Sequence, residues 1–260
     1  MQRIDVYLVE QGYFPSRTAA QAAIMAGLVS ISGQKVGKPS TIVPQEAKVE
    51  VKEKPRYVSR GALKLKKALD EFNIQVTDKV ALDAGTSTGG FAQILLERGT
   101  RKVIAVDVGY GQFDYKLRQD KRVELYERTN IRYFKPELEE RPDLAVVDLS
   151  FISITKVIDN ILSLLKKDAE LVILVKPQFE TEAKLAKKGV VKDPAVHKSV
   201  LEKVLDELTG RKLKVAGLTF SPIKGPKGNI EFLAYLKRQG RGIENLPELI
   251  DHVVSQAHKQ

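Results

Sequence analysis

The sequence predicts an α/β protein: a mainly parallel open sheet closing in an antiparallel pair, preceded by a small α+β module. Three observations predict it. From residue 60 onward, short buried apolar runs alternate with amphipathic helical stretches, the rhythm of βα units that lay strands side by side in parallel. The last two apolar runs, 214–221 and 230–237, flank a Gly/Pro loop too short for a crossover helix, so they pair antiparallel. Ahead of residue 60 the pieces are shorter, two helical stretches followed by brief alternating runs.

The elements follow in chain order. Ile4, Leu8 and Val9 make one face of a short amphipathic helix. Ser16 is placed to cap a second helix, Arg17–Met25, which Gly27 ends. Val29-Ser30-Ile31 alternates, Gly33 turns the chain, Val36 resumes, and Val49 and Val51 alternate again after Pro44. Up to residue 60 there are nine Lys or Arg against five acids. A unit this small has a thin core and serves as an accessory module. Residues 52–60 are charged, hold Pro55 and lack apolar rhythm, which marks a connection. The expected organisation is 1–54 for the module, 55–59 for the linker, 60–238 for the main domain and 239–260 for a tail. Ser59 is a candidate cap for the next helix.

That helix, 60–72, repeats apolar residues at Ala62, Leu65, Leu69 and Phe72. A buried strand at 79–83 leads through a Gly-rich turn into a helix at 90–98. Strands follow at 102–107, 123–127 and 144–148. Then come a helix at 154–166, a strand at 171–175 and a helix at 194–208, before the closing pair. The tail holds one weak amphipathic stretch with Leu246, Leu249, Ile250, Val253 and Val254, to which no function is assigned.

Composition narrows the chemistry. The chain has 260 residues and a formal charge of +10, an excess of base that points to a polyanionic partner. It has no cysteine and three histidines, which removes disulfides, thiolate metal sites and thiol nucleophiles and argues against a metal centre. The opening residues lack a basic, apolar export signal. Apolar runs of about five residues fall far short of the roughly 20 needed to span a bilayer. The expectation is a cytoplasmic, soluble, monomeric protein.

The turn Asp83-Ala84-Gly85-Thr86-Ser87-Thr88-Gly89-Gly90 joins the first main-domain strand to its helix. Glycines there let backbone approach a ligand, and ligands of open α/β sheets bind at the carboxyl ends of strands. The spacing matches neither the dinucleotide fingerprint nor the P-loop. Asp107 ends the next strand, where a carboxylate can accept both hydroxyls of a ribose. Asn130, after the third strand, is a candidate for contact with a base, and Asp83 is a candidate either for the ligand or for capping the turn. Four charged residues fall near the same crevice: Lys64 on the preceding helix, Asp148 and Lys176 at the ends of buried strands, and Glu231 at the start of the last strand. Taken singly, each can be a solvated or ion-paired side chain; as a set in this order they form a candidate catalytic group.

Four resemblances sharpen these readings. Arg3-x-Asp5-x-x-Leu8, Ser16-Arg17-x-x-Ala20-x-x-x-Ile24-x-x-Gly27-x-Val29, Gly33 and Lys38-Pro39 resemble the α-L RNA-binding module named after a small-subunit ribosomal protein. The resemblance implies binding of structured RNA, with Arg3, Arg17, Lys38 and Arg60 as candidate contacts. The turn at 83–90 is similar to the S-adenosylmethionine motif of Rossmann-like methyltransferases. The Lys–Asp–Lys–Glu order resembles that of FtsJ-like ribose 2′-O-methyltransferases. With Arg60-Gly61-x-x-Lys64-Leu65, Asp148-Leu149-Ser150-Phe151 and Lys176-Pro177-Gln178-Phe179, residues 1–238 closely resemble the TlyA family. That family is associated with cytidine 2′-O-methylation of ribosomal RNA, and is also labelled haemolysin. The resemblance implies S-adenosyl-L-methionine as cofactor, held by Asp83, Gly85, Thr86, Ser87, Thr88, Gly89, Gly90, Asp107 and Asn130. It implies ribosomal RNA or ribosomal subunits as partner, and Lys176 orienting or deprotonating the 2′-hydroxyl with Asp148 and Glu231 positioning it and Lys64 holding the ribose or its phosphate.

Three rival readings make different demands. A non-enzymatic ribosome-binding factor keeps the basic module but has no use for Asp107 or the charged set. A membrane-active haemolysin that inserts into a bilayer needs longer apolar runs than these. A base methyltransferase typically carries an Asn/Asp-Pro-Pro-Tyr-like phrase where this chain has Asp148-Leu149-Ser150-Phe151.

Overall fold

The computed structural model describes residues 2–52 and 56–259. The chain divides into two compact units, one up to Arg56 and one from Tyr57. Three residues of the expected boundary region, Glu53, Lys54 and Pro55, lie outside the described residues.

In the first unit, β1 (Gln2–Arg3) runs directly into α1 (Ile4–Glu10), followed by α2 (Arg17–Met25), β2 (Val29–Ile31), β3 (Gln34–Lys35), β4 (Ile42–Val43) and β5 (Val49–Val51). Ser16 caps α2: its Oγ accepts the Ala19 N–H at 3.2 Å. Gly27, with φ of +70°, lets the chain leave that helix in the left-handed region. β1 pairs antiparallel with β4, and β2 lies between β3 and β5. Ile4, Leu8, Ala20, Ile24 and Val29 make the small core.

The second unit contains α3 (Ala62–Glu71), β6 (Val80–Ala84), α4 (Gly90–Glu97), β7 (Lys102–Val106), α5 (Tyr115–Arg118), β8 (Val123–Tyr126), β9 (Leu144–Val147), α6 (Ile158–Leu164), β10 (Glu170–Val175), α7 (Pro177–Glu180), α8 (Pro194–Thr209), β11 (Lys214–Phe220), β12 (Phe232–Lys237) and α9 (Leu246–Ala257). The sheet order is β11-β12-β10-β9-β6-β7-β8. β6 to β10 run parallel, and β12 is antiparallel to both β10 and β11. The closing pair is therefore turned inward: the last strand inserts between β10 and β11 instead of forming the edge. Strand residues alternate between two apolar layers, one shared with α3 and α4, the other with α6, α8 and α9.

Three local expectations are corrected. The helix expected over 154–166 is a 3-10 turn, Ile154–Lys156, followed by α6, because Val157 leaves the helical region at φ −122°. The first helix of this unit starts at Ala62 with Gly61 as its N-cap and without a side-chain cap, so Ser59 does not cap it. The tail is structural: Ile250, Val253, Val254 and Ala257 of α9 lie in the larger core. Among the described residues, no helix is long and apolar enough to cross a membrane.

Candidate active site

The topology brings the charged residues to one edge. β6, β7, β9 and β10 end at Ala84, Val106, Val147 and Val175, so Gly85, Asp107, Asp148 and Lys176 emerge together. β12 runs the opposite way and starts where they end. Phe232 pairs with Val175, which sets Glu231 beside Lys176 in the sheet although Glu231 precedes the strand. Lys64 comes from α3, whose Ala62, Leu65, Ala68 and Leu69 are buried.

These four side chains form a continuous ionic chain. Lys64 Nζ donates to Glu231 Oε2 at 2.6 Å and lies 3.8 Å from Asp148 Oδ2. Lys176 Nζ lies 2.6 Å from Asp148 Oδ1 and donates to Ser150 Oγ at 2.9 Å. Glu231 is 0% exposed, and the two lysines 7% each. The solvated helix face considered for Lys64 is therefore excluded. Burial of two ammoniums is tolerable only because two carboxylates neutralise them locally.

A cavity of about 460 Å³ opens beside Asp148. Gly85, Ser87, Asp107 and Asn130 line it, with Val106, Val108, Ile131 and Leu149 as apolar wall. Asp107 holds the turn in place: Oδ2 accepts the Ser87 N–H at 2.8 Å and Oδ1 the Gly109 N–H at 2.6 Å. Each oxygen keeps a further lone pair for a ligand hydroxyl. Gly85 has φ of +86°, and a Cβ there would run into the backbone carbonyl of Asp148. Thr88, Gly89 and Gly90 shape the turn and the start of α4 without lining the cavity.

Asp83 and Thr86 do not line the cavity either. Thr86 Oγ1 donates to Asp83 Oδ2 at 2.7 Å, and both residues are buried. Between the two roles open to Asp83, the geometry matches capping of the turn. Burial pushes its carboxyl up to about 7. Asn130 turns its Oδ1 to the Arg132 N–H at 3.0 Å while lining the cavity. The volume, the apolar wall and the strand-end carboxylate fit an adenosine-containing cofactor. Among the described residues there is no cluster of three or more potential metal ligands.

Sequence reasoning assigned no role to Ser150, Phe151 or Glu180. Phe151 is 90% exposed at φ +63° and stacks at a tilt on Phe179, ring centroids 5.0 Å apart. Glu180 ties the two strand-end loops together, accepting from Ser153 Oγ at 2.6 Å and the Ile154 N–H at 2.8 Å. Burial raises its carboxyl above the usual range. The available signal was the pair of aromatics following the strand-ending Asp148 and Lys176 at equal spacing.

The first unit carries three of the four basic candidates. Arg3 and Arg17 both reach Asp5, at 3.0 Å each. Lys38 is exposed on the loop before β4, and Arg60 is exposed just ahead of α3 in the second unit.

Comparison with known proteins gives two family matches: FtsJ-like methyltransferase over residues 57–238 and S4 domain over residues 2–49. YqxC of Bacillus subtilis (strain 168) is 45% identical, the match covering 99% of this chain and 94% of that protein. The 16S/23S rRNA (cytidine-2′-O)-methyltransferase TlyA of Mycobacterium tuberculosis (strain H37Rv) is 42% identical over 91% of this chain and 90% of its own. A solved structure from Streptococcus thermophilus, titled as a haemolysin, superposes with a TM-score of 0.77 at 42% identity, covering 99% of this chain and 96% of that one.

Proposed function

We propose that this chain, which belongs to the FtsJ-like methyltransferase family and carries an S4 domain ahead of it, methylates a cytidine ribose 2′-hydroxyl in ribosomal RNA with S-adenosylmethionine as donor. The observation that carries the reading is the continuous chain Glu231–Lys64–Asp148–Lys176, whose Asp148 also lines the cavity. Relatives named as rRNA cytidine 2′-O-methyltransferases, 42% identical over 91% of this chain, support the substrate class.

When bound, the cofactor supplies an activated sulfonium methyl. Asp107 would hold its ribose hydroxyls and the apolar wall would take its adenine, with Asn130 alongside. A ribose hydroxyl is a weak nucleophile, so the protein has to fix the oxygen in line with the methyl carbon and handle its proton. Lys176 Nζ is the group for this role: as an ammonium it orients the oxygen by donating to it, and as the neutral amine it takes the proton. Asp148 holds it in place, and the nitrogen already contacts a hydroxyl, that of Ser150. Glu231 anchors Lys64, which is assigned to the ribose or its phosphate. Phe151, exposed beside them, offers a face on which the target base can stack once it leaves its helix. The S4 unit at 1–54 supplies affinity for structured RNA through Arg3, Arg17 and Lys38, with Arg60 adding a contact from the main domain at 60–238.

The test is methyl transfer from labelled S-adenosylmethionine to ribosomal subunits from cells lacking the gene, followed by alkaline hydrolysis. A 2′-O-methyl blocks cleavage at its own nucleotide. Protection at cytidine is expected. Lys176→Ala should lose at least a hundredfold in rate, the scale of a missing acid–base group, while retaining cofactor affinity. A labelled base, or undiminished transfer by the variant, overturns the assignment.

A further inference from the structure

The first unit contains a buried carboxylate that the catalytic reading does not use. Asp5 lies in the first turn of α1, and its side chain is 0% exposed. Four side-chain bonds converge on it. Arg3 Nε donates to Oδ1 and Arg3 Nη2 to Oδ2, both at 3.0 Å. Arg17 Nη2 donates to Oδ2 at 3.0 Å and Gln21 Nε2 to the same oxygen at 2.8 Å. The backbone joins in: the Asp5 N–H donates to Pro39 O, the residue after Lys38, and the Ile4 N–H to Thr41 O at 2.7 Å. One residue therefore gathers β1, the first turn of α2 and the loop before β4, the elements that carry Arg3, Arg17 and Lys38.

The arginines are not consumed by this arrangement. Their side chains remain 45% and 56% exposed. Each guanidinium presents five N–H donors. Arg3 spends two of its five on Asp5, and Arg17 spends one. The remaining donors belong to half-exposed guanidiniums, whose planar fork suits phosphate oxygens. Arg3 holds the Asp5 carboxyl far below the usual carboxylate range, so the anchor stays charged at neutral pH.

We infer that Asp5 is a positioning residue for RNA binding, which holds the Arg3 and Arg17 guanidiniums and the Lys38 loop ready for the phosphodiester backbone. The inference rests on the reading that the S4 unit binds RNA. It has a counter-intuitive sign. Asp5 is an acid inside a basic patch, so charge alone requires its neutralisation to tighten RNA binding. Preorganisation requires the reverse. Two long side chains ordered in advance are worth roughly a factor of ten in affinity.

The experiment measures binding of the full-length chain to deproteinised ribosomal RNA across a salt series. Wild type, Asp5→Asn and Gln21→Ala are compared, the last being charge-neutral and compatible with α2. Asp5→Asn should bind about tenfold more weakly, with a log K against log salt slope shallower by about one phosphate contact. Gln21→Ala should lose about two- to threefold. In an Arg3→Gln/Arg17→Gln background, Asp5→Asn should have no further effect, whereas a merely unfolded module would still lose affinity. Should Asp5→Asn not fold, Gln21→Ala carries the test alone. Equal or tighter binding by Asp5→Asn, or an unchanged affinity for Gln21→Ala, overturns the inference. Failure of the wild type to bind the RNA would instead remove the S4 reading beneath it.

Discussion

Replacing Glu231 by glutamine tests whether the four charges act as one buried unit. The substitution is isosteric and removes a single charge from a carboxylate that is 0% exposed and 2.6 Å from Lys64 Nζ. Afterwards Lys64 keeps Asp148 at 3.8 Å, but that carboxylate is already 2.6 Å from Lys176. Two ammoniums then share one carboxylate. Removing one partner of a buried pair costs roughly 3–5 kcal/mol, and Asp148 holds the loss to the lower end, about 3 kcal/mol. In a domain of this size that corresponds to a fall in Tm of roughly 6–12 °C. Thermal and urea denaturation read the effect directly. The companion variant Lys64→Met/Glu231→Leu removes both charges at similar volume. It should recover stability to within about 1 kcal/mol of wild type while remaining inactive in methyl transfer. A Glu231→Gln protein within about 0.5 kcal/mol of wild type, or a double variant no more stable than the single one, would refute the reasoning.

Other substitutions probe the remaining parts of the site. Asp107→Ala should weaken cofactor affinity about a hundredfold, the scale of two lost charge-assisted hydrogen bonds; calorimetry with S-adenosylhomocysteine measures it, and an unchanged constant would separate Asp107 from the ribose. Gly85→Ala would press its Cβ into the Asp148 carbonyl at a backbone φ of +86°, so Tm and turnover should fall together by steady-state assay and melting. Asp83 titrates near 7 because it is buried, so the folded chain holds its proton more tightly than the unfolded chain. Stability contributed by the neutral form is full below about pH 4 and declines by up to ~4 kcal/mol as the pH rises towards 7. Asp83→Asn keeps the bond from Thr86, and its Tm should fall less across that window; an identical pH profile would mean that Asp83 is not the group responsible.

The readable parts of the sequence share a physical reason. A strand buried on both faces is a short continuous apolar run, so Val80–Ala84, Lys102–Val106 and Glu170–Val175 could be located within a residue or two. The polar residue ending each run then has to emerge at the sheet edge, which is how Asp107, Asp148 and Lys176 could be named from local pattern. Lys64 was harder. It lies next to the apolar stripe of α3, and nothing local distinguishes a buried lysine there from a solvated one. Its partner Glu231 is 167 residues away. Phe151 and Glu180 escaped for the same reason. One is functional in prospect because nothing covers it, the other because it bridges two loops, and both properties depend on neighbours remote in sequence.

The sequence by itself determined the fold class, the two-part organisation and the identities of the strand-end residues, because periodicity and turn chemistry are local properties of the chain; the family followed from the resemblance of its motifs. Only the tertiary structure decided that β12 enters between β10 and β11. That antiparallel insertion starts the strand where its parallel neighbours end, and so carries Glu231 to the edge where Lys64, Asp148 and Lys176 meet. The structure likewise decided that Asp5 is a buried anchor rather than one more acid on a basic surface. In both cases the deciding quantity was desolvation. A charge buried beside its partner behaves differently from the same charge in water, and burial is set by the packing of distant segments.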